Sequence, residues 1–310
     1  IAFANSKDST VNFWELSSSK NSDRDCRGSN KYGLNLTGAT IDGVSGLSHE
    51  NMVLFKQRGD YAPVSDHILK ELILSSYDHH DIREINLEDM GIDDSCASLI
   101  GRNMTWINLQ HLNLRRNQIS DKGGAAIANN SSWVNLKRLD LSENKLSNLG
   151  ASELWKNKSW VRLEELYLSK NVTKGESLKV GPTIISVKDV LSIGTITTWA
   201  NLKSLDLSSN LLSVNILKEL SQNVTWAVLE TLMLRNSGIG DVEVKSMSLN
   251  TTWTHLQTLN LEDNKVSPLG ALDLSQNSAW INLQVLNLSK NMLEALGAKH
   301  LSENTTWKKL

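Results

Sequence analysis

The chain has 310 residues, with 32 Lys+Arg against 34 Asp+Glu for a net charge of −2, 40% hydrophobic and 21% charged residues. A near-neutral chain lacks the basic surplus that neutralises phosphates, which excludes a nucleic-acid binder held by bulk charge. The apolar content excludes intrinsic disorder, no apolar run reaches the roughly 18 residues that cross a bilayer, and two cysteines, Cys26 and Cys96, exclude a disulfide-dense scaffold.

In chain order, residues 1–33 are rich in Ser, Asn, Lys and Asp and read as a cap or tail. Ala2-Phe3-Ala4 is compatible with a signal-peptidase site, although no apolar stretch precedes it. Leu34-Asn-Leu36-Thr and Leu47 to Asn51 echo a later repeat unit, so residues 1–60 are expected to hold a cap or tail with a degenerate opening repeat. A helix is expected over Ser65–Ser76, with Ser65 as its N-cap, followed by a strand whose inward residues are Ile82, Ile85 and Leu87.

From there the chain is periodic. The ten tryptophans outnumber three Phe and four Tyr, and Trp106, Trp133 and Trp160, then Trp199, Trp226, Trp253, Trp280 and Trp307, recur every 27 residues. The one irregular gap, Trp160 to Trp199, is 39 residues, 12 more than the period. Counting from each Trp, Leu recurs at +3, +6 and +8 and Asn at +11, as in Trp280, Leu283, Leu286, Leu288 and Asn291. Leu at +6 and +8 with polar neighbours predicts a short strand with one buried face. A Gly-Ala pair and an apolar residue six before the next Trp (Ile127, Leu154, Ile193, Leu220, Met247, Leu274, Leu301) predict a short helix packed on the strand layer. One strand and one helix cannot bury their apolar faces alone, so successive units must stack.

The spacing L-x-x-L-x-L-x-x-N stands at Leu109–Asn117, Leu136–Asn144, Leu163–Asn171, Leu202–Asn210, Leu256–Asn264 and Leu283–Asn291, and the copy at Leu229 ends in Ser237. It resembles the leucine-rich repeat family, and the 27-residue unit with a helical second half is similar to the ribonuclease-inhibitor-like subclass. The resemblance implies an α/β solenoid, a horseshoe with parallel strands on the concave side and helices on the convex side. It covers residues 61–310 as about eight units, truncated or uncapped at the C-terminus, since Leu310 falls three residues into a further unit.

The tryptophans are expected to fill the wedge between the helix and strand layers, their indole N–H taken by nearby backbone. The Asn at +11 is expected to bond backbone groups of adjacent units, which in the family forms an asparagine ladder. The Asn three before each Trp (Asn103, Asn130, Asn157, Asn223, Asn250, Asn304) opens a formal glycosylation sequon. The residue-level reading is a left-handed turn that closes the helix, which the non-sequon Asn277 shares and Ile196 does not fit. His79-His80 between Asp78 and Asp81 reads as turn chemistry rather than a metal site. No zinc spacing, phosphate loop or catalytic signature is present, so the chain is expected to be non-enzymatic, without cofactor or metal.

The strand residues at +5, +7 and +9 point away from the helices and are where a partner is expected. Column +7 is Asn or Asp except at Tyr167 and Met233. Tyr and Arg are favoured at binding hot spots and Met at adaptable contacts, so Arg115, Arg138, Glu165, Tyr167, Met233 and Arg235 form the candidate partner-binding patch. The extra residues of the long unit, mainly Thr173 to Ser186, are expected to project from one rim as part of the same surface. Together these features predict a protein-recognition module: a monomer that binds a protein partner, not nucleic acid, and does not insert in a membrane. The family resemblance implies two variants, a bacterial effector acting on host proteins, or a regulator (inhibitor or GTPase-activator-like) or recognition arm of a larger enzyme. The compartment is left open between the cytoplasm and secretion into a host cell.

Overall fold

A computed structural model describes residues 2–5, 11–14, 82–171, 196–210, 212 and 214–310. The chain divides into two compact units, Ile1–Tyr77 and Asp78–Leu310. In the first, β1 (Ala2–Asn5) pairs antiparallel with β2 (Val11–Trp14), Phe3 opposite Phe13. The degenerate repeat, the Ser65–Ser76 helix, the His79-His80 turn and the Thr173–Ser186 insertion lie outside the described residues.

In the second unit short strands alternate with short helices: β3 (Glu84–Asn86), α1 (Asp94–Gly101), β4 (His111–Asn113), α2 (Asp121–Ala128), β5 (Arg138–Asp140), α3 (Asn148–Trp155), β6 (Glu165–Tyr167), β7 (Ser204–Asp206), α4 (Val214–Gln222), β8 (Thr231–Met233), α5 (Asp241–Ser248), β9 (Thr258–Asn260), α6 (Pro268–Ser275), β10 (Val285–Asn287) and α7 (Glu294–Ser302). The strands β3 to β10 form one open parallel sheet in sequence order, with the Leu at +6 of one unit beside that of the next, as in Leu112 beside Leu139. The pairing of β6 with β7 keeps this register, Leu166 beside Leu205. The longer unit is therefore absorbed outside the strand. Parallel strands lie ~4.8 Å apart while packed helices need ~8–10 Å. A stack of such units must curve with its strands inside. This is an α/β leucine-rich-repeat solenoid.

The core lies between the two layers. Leu112, Leu139, Leu166, Leu205, Leu232 and Leu259 are buried from the strand side, and Ile127, Leu154, Leu220, Met247 and Leu274 from the helix side. Between them run the tryptophans, Trp133, Trp160, Trp199, Trp226, Trp253 and Trp280 all at 0% exposure. Successive indoles lie nearly parallel, with ring centres 6.4 Å apart for Trp106–Trp133 and for Trp280–Trp307. Buried this deeply, they cannot stack on an external base or sugar. The indole N–H groups of Trp133, Trp160, Trp199, Trp226, Trp253, Trp280 and Trp307 have no acceptor among the described residues. The expected backbone partner is thus absent for these seven rings among the described residues.

Hydrogen bonds between units run in three rows. In the first, the +11 carboxamide bridges two coils: Asn117 Nδ2 donates to Leu87 O (2.9 Å) and Leu114 O (2.8 Å), while its Oδ1 accepts from Met90 N (2.9 Å) and Ile92 N (3.0 Å). The row crosses the long unit, where Asn210 Nδ2 donates to Leu168 O (2.9 Å) and Oδ1 accepts from Asn171 N (2.9 Å).

The second row corrects the reading of the asparagines before each Trp. None of them has a positive φ. Each instead accepts from its own turn and donates backwards. Asn130 Oδ1 takes Ser132 N (2.9 Å) and Trp133 N (3.2 Å), and its Nδ2 reaches Gly101 O (3.0 Å) and Asn103 O (2.7 Å). Asn157, Asn250 and Asn304 repeat the backward bonds. The hydroxyl two residues on joins the row, as Thr252 Oγ1 donates to Asn223 O (3.1 Å). Where Ile196 stands instead of Asn, Thr198 Oγ1 still reaches Asn157 O (3.3 Å). The sequon pattern thus has a structural origin: a sugar on these amide nitrogens would displace the preceding coil's carbonyls.

The left-handed residue is found at +10, at Asp89, Arg116, Glu143, Lys170, Ser209, Asn236, Asp263 and Lys290, with φ from 50° to 58°. A non-glycine residue there costs about 1–3 kcal/mol. The conformation turns the +10 N–H onto the next coil, Arg116 N to Ser142 O (2.9 Å) and Lys170 N to Ser208 O (2.9 Å), extending the ladder past the three-residue strands.

The third row explains the Gly-Ala pair. Asp121 accepts from Ser147 N (2.7 Å) and Gly150 N (2.9 Å) of the next helix start. A Cβ on Gly150 would stand 2.5 Å from Asp121 Oδ1. Asp94 and Asp241 serve Ser120 and Ser267 alike.

Candidate functional site

The middle residue of each strand from β3 to β9 is buried, so its neighbours at +5 and +7 share the opposite face. At +7 an Asn or Asp has a local task. Asn113 Oδ1 accepts from Arg115 N (3.0 Å), Asp140 Oδ1 from Ser142 N (2.9 Å), Asp206 Oδ1 from Ser208 N (2.9 Å) and Asn260 Oδ1 from Glu262 N (2.9 Å). These bonds close the turn that leaves the strand. Tyr167 and Met233 cannot make them, and so depart from a structural requirement of the repeat.

The structure brings three of the six candidate residues into contact. Tyr167 Oη donates to Glu165 Oε2 (2.9 Å), Arg138 Nη1 lies 3.4 Å from the same oxygen, and the Arg138 guanidinium sits over the Tyr167 ring, 4.8 Å from its centre. Burial pushes the Tyr167 hydroxyl pKa up, and its bond to Glu165 raises it further. Desolvation also raises the carboxyl of Asp140, 8% exposed beside this cluster.

Met233 is separate. It is on β8, two strands from Tyr167, with Asp206 between them in register. Arg235 follows β8 and is drawn towards Glu262 (3.7 Å), which also binds Lys290 (2.8 Å). Arg115 is committed elsewhere: its Nη1 lies 3.6 Å from Glu88, and its Nε donates to Glu143 Oε1 (3.1 Å). Glu143 also binds Arg116 (3.3 Å) and Lys170 (3.6 Å), and the Arg115 hydrogen bond foremost holds its carboxyl pKa down at about 2. Arg115 and Arg116 therefore form an acid-centred knot rather than a basic patch.

Sequence reading missed the hub role of Glu143 and the place of Asp206 between Tyr167 and Met233. The acidic residue at +10, among basic neighbours one coil away, was the available signal for the first. Among the described residues no three His, Cys, Asp or Glu side chains converge as metal ligands, and no helix is long and apolar enough to cross a membrane.

Comparison with known families agrees with this architecture. Profiles described as Leucine Rich repeat match residues 107–128, 134–154 and 254–277, and one described as Leucine Rich Repeat matches 201–223. Those segments are leucine-rich repeats. Among solved structures, human 5T4 (Wnt-activated inhibitory factor 1, trophoblast glycoprotein) is similar at 24% identity over 63% of this chain and 65% of that one, with a TM-score of 0.42. The PEPR1–AtPEP1 structure is similar at 17% identity over 79% of this chain and 29% of that one, with a TM-score of 0.41. The chain thus spans less than two thirds of the length of either. No curated protein sequence matches it significantly.

Proposed function

We propose that this chain is a non-enzymatic protein-recognition module whose partner sits on the concave strand face around Arg138, Glu165 and Tyr167, reaching Met233 and Arg235, with Arg115 at its edge. The observation that carries the reading is the asymmetry of the repeat. Every unit uses its helix-facing side chains for cohesion, and on the opposite face Tyr167 and Met233 give up the turn bond that Asn or Asp makes elsewhere. Eight strands at ~4.8 Å, each about 16 Å long with its +9 residue, offer about 550 Å² before side-chain relief, the scale of the ~800 Å² each partner buries in a standard interface. A stacked frame also loses little entropy on binding.

The 27-residue unit, with a helix after every strand of the parallel sheet but β6 among the described residues, supports the ribonuclease-inhibitor-like subclass. The near-uniform copies, a mark of internal duplication, support the narrower reading of an effector acting on host proteins. In both, the solenoid acts as a monomer and needs no cofactor, and the insertion at 173–186 adds to the binding rim.

Affinity capture tests the reading. A Tyr167→Ala, Met233→Ala double variant should lose its partner at least tenfold, while a helix-side Val242→Ala, Leu269→Ala variant, both residues exposed, should keep it. Far-UV circular dichroism must show both folded. Equal recovery by wild type and the Tyr167, Met233 variant would remove the concave patch.

A further inference from the structure

Asp206 is a carboxylate at a position where an amide would serve the fold equally well. Asn113 and Asn260 close the same turn with the same bond. One Asp206 oxygen accepts from Ser208 N, and the other has no side-chain donor among the described residues. Four acidic neighbours on this face are answered, Glu88 and Glu143 by Arg115, Glu165 by Arg138, and Glu262 by Lys290, while Glu84 stands apart on β3 at the edge of the sheet. Asp206 has no basic side chain within ion-pair distance among the described residues. It is also half-buried and reachable, whereas Asp140 in the same column is buried.

The walls beside it are unusual. Register places Tyr167 on one side of Asp206 and Met233 on the other. These are the two positions where the column abandons Asn or Asp. The two residues stand two strand spacings apart, about 9.6 Å. A single side-chain stem fits between them, since contact distances of ~3.5–4.0 Å on each side sum to less than that. Arg138 covers the Tyr167 ring from the β5 side, so the ring already holds one guanidinium. Its other flank is β7, which carries Ser204 and Asp206. A second cation there would meet the aromatic face, a carboxylate and, along its aliphatic stem, a polarizable thioether.

We propose that the slot between Tyr167 and Met233, floored by Asp206, receives an arginine or lysine side chain of the protein partner. This rests on the reading of the strand face as the binding face, and narrows it: the partner presents a basic residue to the centre of the sheet, flanked by polar residues that meet Ser204 and Ser208.

The test uses the full chain labelled with 13C at its methionine methyls, six in all, with the Met233 signal assigned through Met233→Leu. Nα-acetyl-arginine amide is titrated against its neutral isostere, Nα-acetyl-citrulline amide. The Met233 methyl should shift saturably with the arginine probe in the millimolar range typical of a single side chain, and at least fivefold more weakly with citrulline. Asp206→Asn keeps the turn acceptor and should reduce the arginine response to the citrulline level. A Met233 signal indifferent to arginine, equal for both probes, or unchanged in Asp206→Asn overturns the proposal. If partner capture still depends on Tyr167 and Met233 in that event, the concave-face reading stands and only the basic-residue slot falls.

Discussion

The joint between β4 and β5 and the joint between β7 and β8 follow one plan and differ at one residue. At the first, Asn144 Nδ2 donates to Leu114 O (2.9 Å) and Leu141 O (3.0 Å), and its Oδ1 accepts from Ile119 N (3.0 Å) of the preceding coil. At the second, Ser237 Oγ reaches Leu207 O (3.3 Å) and Arg235 O (3.1 Å), and Leu212 N turns to the Ser237 carbonyl oxygen (3.2 Å). A hydroxyl has one proton where a carboxamide has two, and a shorter reach. Yet the strands pair in the same register at both joints, Leu112 beside Leu139 and Leu205 beside Leu232. Register therefore comes from buried leucines, tryptophans and the backbone ladder, and the carboxamide adds cohesion to a pairing already determined.

Trp133→Ala should break both kinds of joint alike. The side chain is fully buried, and its loss should destabilise the chain by about 3–5 kcal/mol in denaturant unfolding. A loss under about 1 kcal/mol would mean the wedge collapses without it. Asn144→Ser copies the weaker joint into the stronger one. It should cost about 1–3 kcal/mol and speed amide exchange at Ile119, and an unchanged exchange rate there would show that the carboxamide is dispensable.

Acid should act through Glu143 on the β4–β5 side, while on the other side Glu262 is held low foremost by its bond from Lys290. Glu143 has a folded pKa of about 2 against an ordinary value of 4.5. A depressed carboxyl stabilises the fold fully above its unfolded pKa, and that contribution is lost as pH falls from 4.5 towards 2. With its arginines facing solvent, the contribution is on the order of 1–2 kcal/mol. Glu143→Gln should flatten stability against pH in this window, and a slope identical to wild type would remove Glu143 as its source. The smallest effect is the converse repair: Ser237→Asn should stabilise by about 0.5–1 kcal/mol, read as a shift of the denaturant midpoint.

Much of the architecture was legible because a side chain that recurs every 27 residues must meet its own copy in the next coil. The Leu columns, the Trp wedge and the +11 Asn needed no more than that spacing. Other features carried no residue-type signal. The left-handed position holds Arg116, Glu143 and Lys170, none of which favours that conformation, because the backbone bonds it allows to the next coil outweigh the local strain. The asparagines before each Trp looked like helix-closing turns because local preference was the only guide. Their real partners, such as Gly101 O for Asn130, lie 29 residues back in sequence. The Gly-Ala pair was visible, but not its reason, which at Gly150 and Gly270 is the aspartate of the preceding helix.

The candidate site was half legible. Tyr167 and Met233 stood out by departing from their column, and the sequence alone thereby marked which strands differ. It could not tell that Arg138 folds over the Tyr167 ring while Arg115 is taken up by Glu143, since side chains in adjacent columns choose among neighbours by reach and geometry. Periodicity determined the solenoid, its strand face and its buried columns, because stacking identical units leaves one arrangement that turns the recurring strand leucines inward. Only the tertiary structure decided which charges on that face are paired and which, like Asp206, have no ion pair among the described residues, because ion pairing depends on distances between coils that spacing along the chain does not encode.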